Sequence, residues 1–113
     1  MLTITVQELK KRLDAGENIH LLDVREPQEN ADFNIGGTLL PLGEIRNMQT
    51  DAIDDWKDDE IVLYCRSGNR SGQAAMILEQ MGFKNPKNLT GGMLAWQENF
   101  TRNKWKNFFD NRL

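Results

Sequence analysis

The stretch YCRSGNRSG, residues 64–72, contains the one cysteine of the chain, and two arginines, two serines and two glycines follow it at once. A thiol does nucleophilic chemistry as its thiolate, and fixed positive charge beside it lowers its pKa. Arg66 and Arg70 supply that charge. Gly68 and Gly72 permit the dihedrals of a tight turn, Asn69 lies within that turn, and Ser67 and Ser71 offer hydroxyl donors. The bland alternative is that Cys65 packs as a small hydrophobe, the common fate of a free cysteine. Such a residue needs no flanking cations, so the abrupt change from apolar run to RSGNRSG favours an activated nucleophile.

Composition removes several other chemistries. One Cys allows no intramolecular disulfide, and with one His it excludes a zinc site of several thiolates. The chain has no other glycine-rich loop suited to a nucleotide, and thiolate chemistry of this kind needs no metal, nucleotide or organic cofactor. The 14 Lys and Arg against 17 Asp and Glu give a formal charge of −3, which offers no general attraction to nucleic acid or to acidic membranes. The opening MLTITVQELKKRL has scattered charge and no unbroken apolar stretch. It therefore reads as neither a signal peptide nor a membrane span, and the expectation is a cytoplasmic protein unless a leader has been lost.

The elements that must position Cys65 alternate in type. With 113 residues, a single domain with one core is expected over 1–113. After the β-branched TITV, Thr5 and Glu8 form a capping-box pattern that opens a helix, which Gly16 can close. IHLLDV (19–24) reads as a buried strand and GGTLLPL as a brief one ending near Pro41. LGEIRNM and TDAIDDWKDD read as short helices or turns. EIVLYC (60–65) is the strongest strand signal. A helix follows, with Ala74, Ala75, Ile77, Leu78 and Met81 on one face and Gly82 at its end. A last short strand is expected after Pro86, and GGMLAWQENF restarts a helix. This alternation predicts a three-layer α/β domain with a mostly parallel sheet, whose ligand site lies at the carboxyl ends of the strands, where Cys65 falls.

In such a loop, successive amides and the positive end of the following helix favour an anion. Cysteine-dependent phosphatases resemble a Cys-to-Arg ring one residue longer than this one, in which Arg66, Ser67, Gly68 and Asn69 alone separate Cys65 from Arg70. The tighter ring suits one extra sulfur atom on the cysteine better than a phosphoryl group.

The motifs LLDVREPQE, CRSGNRS and NLTGGMLAW stand in the order and at the separations of the rhodanese-like sulfurtransferases, and the chain resembles their single-domain members almost throughout. The resemblance implies a five-stranded parallel sheet flanked by helices and a cysteine that cycles through a persulfide. It makes Cys65 the nucleophile and residues 66–70 the cradle of the outer sulfur, with Arg66 and Arg70 at anion-binding positions. Asp23 and Arg25 match the DVRE motif and are expected, with Ser71, in supporting roles. The implied reaction is double displacement: sulfur passes from a donor such as thiosulfate to Cys65, and then to cyanide or to a thiol of a small molecule or protein. Phe33 and Asn34 stand where the family usually has Gly and His, which is expected to alter the mouth of the pocket.

Two other classes compete: a phosphatase or arsenate-type reductase using the same thiolate, and a binding module that keeps the fold and transfers nothing. The short ring and the lack of an aspartate beside it weigh against the first, and retention of Cys65 with both arginines weighs against the second. His20, inside a strand, is expected to pack rather than act as acid or base. Met76, Met81, Met93 and Trp96 are expected in the core, and the acidic run 51–60 on a solvated surface. The tail, about 99–113, places Trp105, Phe108 and Phe109 on an apolar stripe, expected to cover the domain's own helices or, as the minor alternative, to support a weak homodimer.

Overall fold

The computed structural model describes residues 2–101, so the tail aromatics lie outside it. The chain begins with β1 (Leu2–Ile4), and Thr5 caps α1 (Val6–Asp14): its Oγ1 accepts the Glu8 amide at 3.1 Å while Glu8 accepts the Thr5 amide at 3.3 Å. Gly16, at φ +84°, then turns the chain out of the helix. β2 (His20–Asp23), α2 (Pro27–Asp32), β3 (Thr38–Leu39) and α3 (Leu42–Arg46) follow, then a 3₁₀ turn over Asp51–Trp56. The second half runs β4 (Glu60–Tyr64), α4 (Asn69–Gln80), β5 (Asn85–Leu89), α5 (Gly92–Trp96) and a π turn over Gln97–Thr101.

The five strands form one sheet in the order β1-β5-β4-β2-β3, and every neighbouring pair is parallel. β4 occupies the centre and is buried on both faces, which is why EIVLY reads as a continuous apolar run rather than an alternating one. Its side chains still divide by the two-residue period. Ile61, Leu63 and Cys65 face a core built with Ile45, Ala74, Ala75 and Leu78 of α3 and α4, while Val62 and Tyr64 face a second core with Leu9, Met93 and Trp96 of α1 and α5. The three layers are thus helices, sheet, helices. Parallelism also brings the carboxyl ends of β2, β4 and β5 to one edge.

Two local expectations change. β5 starts at Asn85 and includes Pro86, although β5 has neighbours on both sides. Pro86 is opposite Ile61 of β4, whereas β1 pairs with β5 only from Lys87 onward, so no β1 residue stands opposite the proline nitrogen. Met76, expected in the core, is 53% exposed, because it sits on the outer face of α4 while Ala75 and Leu78 turn inward. Met93 and Trp96 are buried as expected, and Met81 packs against the first core. His20 packs too: its ring stacks on Trp56 with centroids 4.2 Å apart. The acidic run is mainly surface, with Ile53 alone fully buried in the 3₁₀ turn.

Candidate active site

Cys65 leaves β4 at the sheet's centre and is 1% exposed. The chain turns through Arg66, Ser67 and Gly68 into α4, and Gly68 takes φ +104°, a conformation that L side chains rarely adopt. That turn aims amides back at the sulfur. The Gly68 N–H donates to Cys65 Sγ at 3.1 Å and the Ser71 N–H at 3.4 Å, while Ser71 Oγ lies 3.3 Å from the same atom. Burial pushes the Cys65 thiol up, but the Ser71 hydroxyl and the amides of Ser71, Gly68 and Ser67 outweigh it, so the thiol ionises below its ordinary value. The sequence pointed to the arginines as the source of this shift. The hydrogen bonds contribute most to it, because they act at contact distance, and the Arg70 charge acts on the same sulfur.

A side chain from β5 completes the loop. Asn88 Oδ1 accepts from Ser71 Oγ at 2.5 Å, and Asn88 Nδ2 donates to Gly68 O at 3.1 Å. Sequence reasoning missed Asn88; the available signal was a polar residue inside an interior strand. Gly92 packs its α-carbon against the carbonyls of Cys65 and Arg66, leaving no room for a β-carbon, and the first turn of α5 donates from Met93 N to Cys65 O (2.9 Å) and from Leu94 N to Arg66 O (3.0 Å).

The DVRE residues build the neighbouring wall. Asp23 and Arg25 are buried and doubly bonded, Nε to Oδ1 at 2.9 Å and Nη2 to Oδ2 at 2.8 Å. Arg25 Nη2 also donates to Phe33 O at 2.6 Å, and Asn30 Nδ2 donates to Asp23 Oδ2 at 2.9 Å. This pair therefore braces the loop after α2, and its hydrogen bonds run to that loop rather than to residues 66–70. Phe33 contributes through its carbonyl, and Asn34 folds back to Asn30 O and accepts from Gly36 N. Burial lifts the Tyr64 phenol to about 12, so it stays protonated and donates to Gly36 O at 2.8 Å.

The two arginines of the loop part company. Arg70 makes a bidentate pair with Glu29 of α2, Nη1 to Oε1 at 2.7 Å and Nη2 to Oε2 at 2.8 Å, which holds the Glu29 carboxyl down to about 2. Arg66 is exposed and has no ion-pair partner among the described residues; it borders a cleft of about 270 Å³ with Arg25, Glu29, Phe33, Met93 and Leu94. Ser67 and Asn69, the latter the first residue of α4, are exposed.

A buried cysteine at the end of the central strand of a parallel sheet, its thiol held below the ordinary pKa by amides and a hydroxyl, defines an α/β domain with a candidate site in the loop after that strand. Comparison with known proteins narrows that class. The rhodanese-like domain family matches residues 5–99, and the chain belongs to it. It is 39% identical over 94 residues to a sulfurtransferase of Allochromatium vinosum, covering 82% of this chain and 85% of that protein. It is 35% identical over 94 residues to YrkF of Bacillus subtilis, covering 82% of this chain but 49% of YrkF, so the chain spans about half the length of that relative. The crystal structure of a rhodanese-like domain protein from Staphylococcus aureus superimposes with a TM-score of 0.75 at 30% identity, over 85% of this chain and 91% of that one.

Proposed function

We propose that this domain is a sulfurtransferase that carries sulfane sulfur on Cys65, from a donor such as thiosulfate to a thiol or cyanide. The observation that carries the reading is the ring itself, in which the Gly68 and Ser71 amides and the Ser71 hydroxyl converge on Sγ. Similarity to the Allochromatium vinosum sulfurtransferase supports it. In the first step the Cys65 thiolate attacks the donor's outer sulfur: a sulfur–sulfur bond forms to Cys65, the bond from that sulfur to the sulfonyl sulfur breaks, and sulfite leaves with the electron pair. In the second step the acceptor attacks the outer sulfur and Cys65 leaves as thiolate. No oxidant enters, and the amides stabilise the anion at each stage. Arg66 meets the incoming anion. A reducing compartment such as the cytoplasm would keep the thiolate available.

The test is the intact mass of the protein after incubation with thiosulfate, before and after cyanide, on wild type and Cys65→Ser. The expected result is a gain of one sulfur atom on wild type alone, discharged by cyanide. A wild-type protein that gains no mass from thiosulfate or any other sulfane donor would overturn the proposal and favour a binding role for the fold.

A further inference from the structure

Charge at the mouth of the cleft is balanced. Arg25 and Arg66 line it, but so do Glu29 and Asp32, and Arg25 is already tied to buried Asp23. Arg70, which borders the same loop, spends both of its terminal nitrogens on Glu29. A doubly charged inorganic donor therefore finds one unpaired guanidinium, the Asp32 carboxylate opposing it, and in Arg70 a cation already neutralised by Glu29. The remainder of the lining offers apolar surface: Phe33 and Met93 are mostly covered, and Leu94 presents a side chain 44% exposed.

We infer that Glu29 is a specificity-determining residue, which by occupying Arg70 turns the site away from dianionic donors and toward singly charged sulfane donors bearing an apolar group that rests on Leu94 and Phe33. The inference rests on the sulfurtransferase reading and refines its substrate class. The chemistry is unchanged. With a thiosulfonate, for example, the Cys65 thiolate takes the outer sulfur, the bond from that sulfur to the sulfonyl sulfur breaks, and a sulfinate leaves with the electron pair. Charge is conserved, and neither proton nor oxidant is needed. What differs is the leaving group, one negative charge on an organic frame instead of two on sulfite, and hence the demand for cations around it. Discrimination is then a difference of two binding energies, lowered for the dianion by the carboxylates and raised for the organic donor by the apolar wall.

The experiment compares kcat/KM for thiosulfate and for benzenethiosulfonate, a monoanion with an aromatic group, in wild type, Glu29→Gln and Leu94→Ser, reading thiocyanate release to cyanide. The change in the ratio of the two donors from wild type to variant is the measure, which cancels the intrinsic reactivity of each. Gln at position 29 can still accept the Glu26 amide, as Glu29 does at 3.1 Å, so the start of α2 is kept. Glu29→Gln should shift the ratio toward thiosulfate by roughly tenfold, because the Arg70 charge is no longer neutralised. Leu94→Ser, at a position 44% exposed, should shift it the same way by roughly fivefold, through a higher KM for benzenethiosulfonate. An unmoved ratio in Leu94→Ser, or in a folded Glu29→Gln, overturns the inference while leaving the sulfurtransferase reading intact. A wild-type protein that accepts sulfur from neither donor overturns both.

Discussion

Asn88 and Cys65 compete for one hydrogen, that of the Ser71 hydroxyl, which lies 2.5 Å from Asn88 Oδ1 and 3.3 Å from Cys65 Sγ. A hydroxyl has a single proton to donate. With Cys65 as the thiol, Ser71 donates to Asn88 and can accept from the S–H; with Cys65 as the thiolate, the better acceptor is sulfur. Ionisation of the nucleophile and the hydrogen bond across to β5 are thereby linked.

The first prediction follows from that link. Ser71→Ala removes the hydroxyl and leaves the Ser71 and Gly68 amides, so the thiolate loses one of the interactions that offset burial. Its pKa should rise. Iodoacetamide alkylation of Cys65, followed against pH, should show the inflection moving upward. Where that inflection lies above pH 7, the rate at pH 7 should fall about tenfold for every tenfold loss of thiolate.

Asp23 gives the second. It is fully buried, and its carboxylate accepts from the Arg25 guanidinium and from Asn30. Asp23→Asn leaves the Arg25 charge in the interior with a weakened partner, which should cost about 3 kcal/mol of unfolding free energy in urea titration. The loop carrying Phe33 should loosen with it, because Arg25 also holds the Phe33 carbonyl.

Acid stability is the third. Hydrogen bonds from Arg70 hold the Glu29 carboxyl down to about 2, and hydrogen bonds from Arg12 and Lys87 do the same for Glu60. Both folded-state values lie below the unfolded carboxylate value of about 4.3. Each group therefore contributes stability that is fully present above that pH and is lost as pH falls toward 2, because the unfolded chain then binds protons that the folded one refuses. Thermal midpoints should fall through this window, and less steeply in Glu60→Gln, which starts from a lower midpoint at neutral pH.

The contact between Gly92 and the loop yields the fourth. Gly92→Ala places a methyl group against the carbonyl oxygens of Cys65 and Arg66 at a residue whose φ is +54°. The expected cost is about 1–3 kcal/mol in chemical denaturation. Because the displaced atoms belong to the cradle, Cys65 alkylation should change as well. Gly43→Ala, where a β-carbon meets nothing, should leave alkylation unchanged.

What could be read in the sequence divides along the distance between partners. Cys65 at a strand end, the glycines behind it and the capping box of Thr5 and Glu8 are local patterns, and the fold realises them. Alternation of strand and helix was enough to anticipate parallel layers. Asn88 and Glu29 act across 17 and 41 residues of chain, and no local pattern marks either as a partner of the cysteine loop. The same distance explains the two arginines: in one motif and alike in charge, they differ because α2 delivers a carboxylate to Arg70 and none to Arg66. Pro86 misled for a related reason, since its tolerance depends on where β1 starts to pair.

The first turn of α5 has a consequence for the polarity of the cradle. The carbonyls of Cys65 and Arg66 are taken by the Met93 and Leu94 amides, and that of Gly68 by Gly72 N and Asn88 Nδ2. Lone pairs are thereby turned outward and N–H groups inward, so the backbone around the sulfur is sorted by sign. A hard cation approaching the nucleophile would meet hydrogen atoms and no oxygen ligand from these three carbonyls. Only a thiophilic ion could bind there, through the sulfur itself. The docking of one short helix thus turns two of the ring's carbonyls away from the sulfur and leaves the amides facing it.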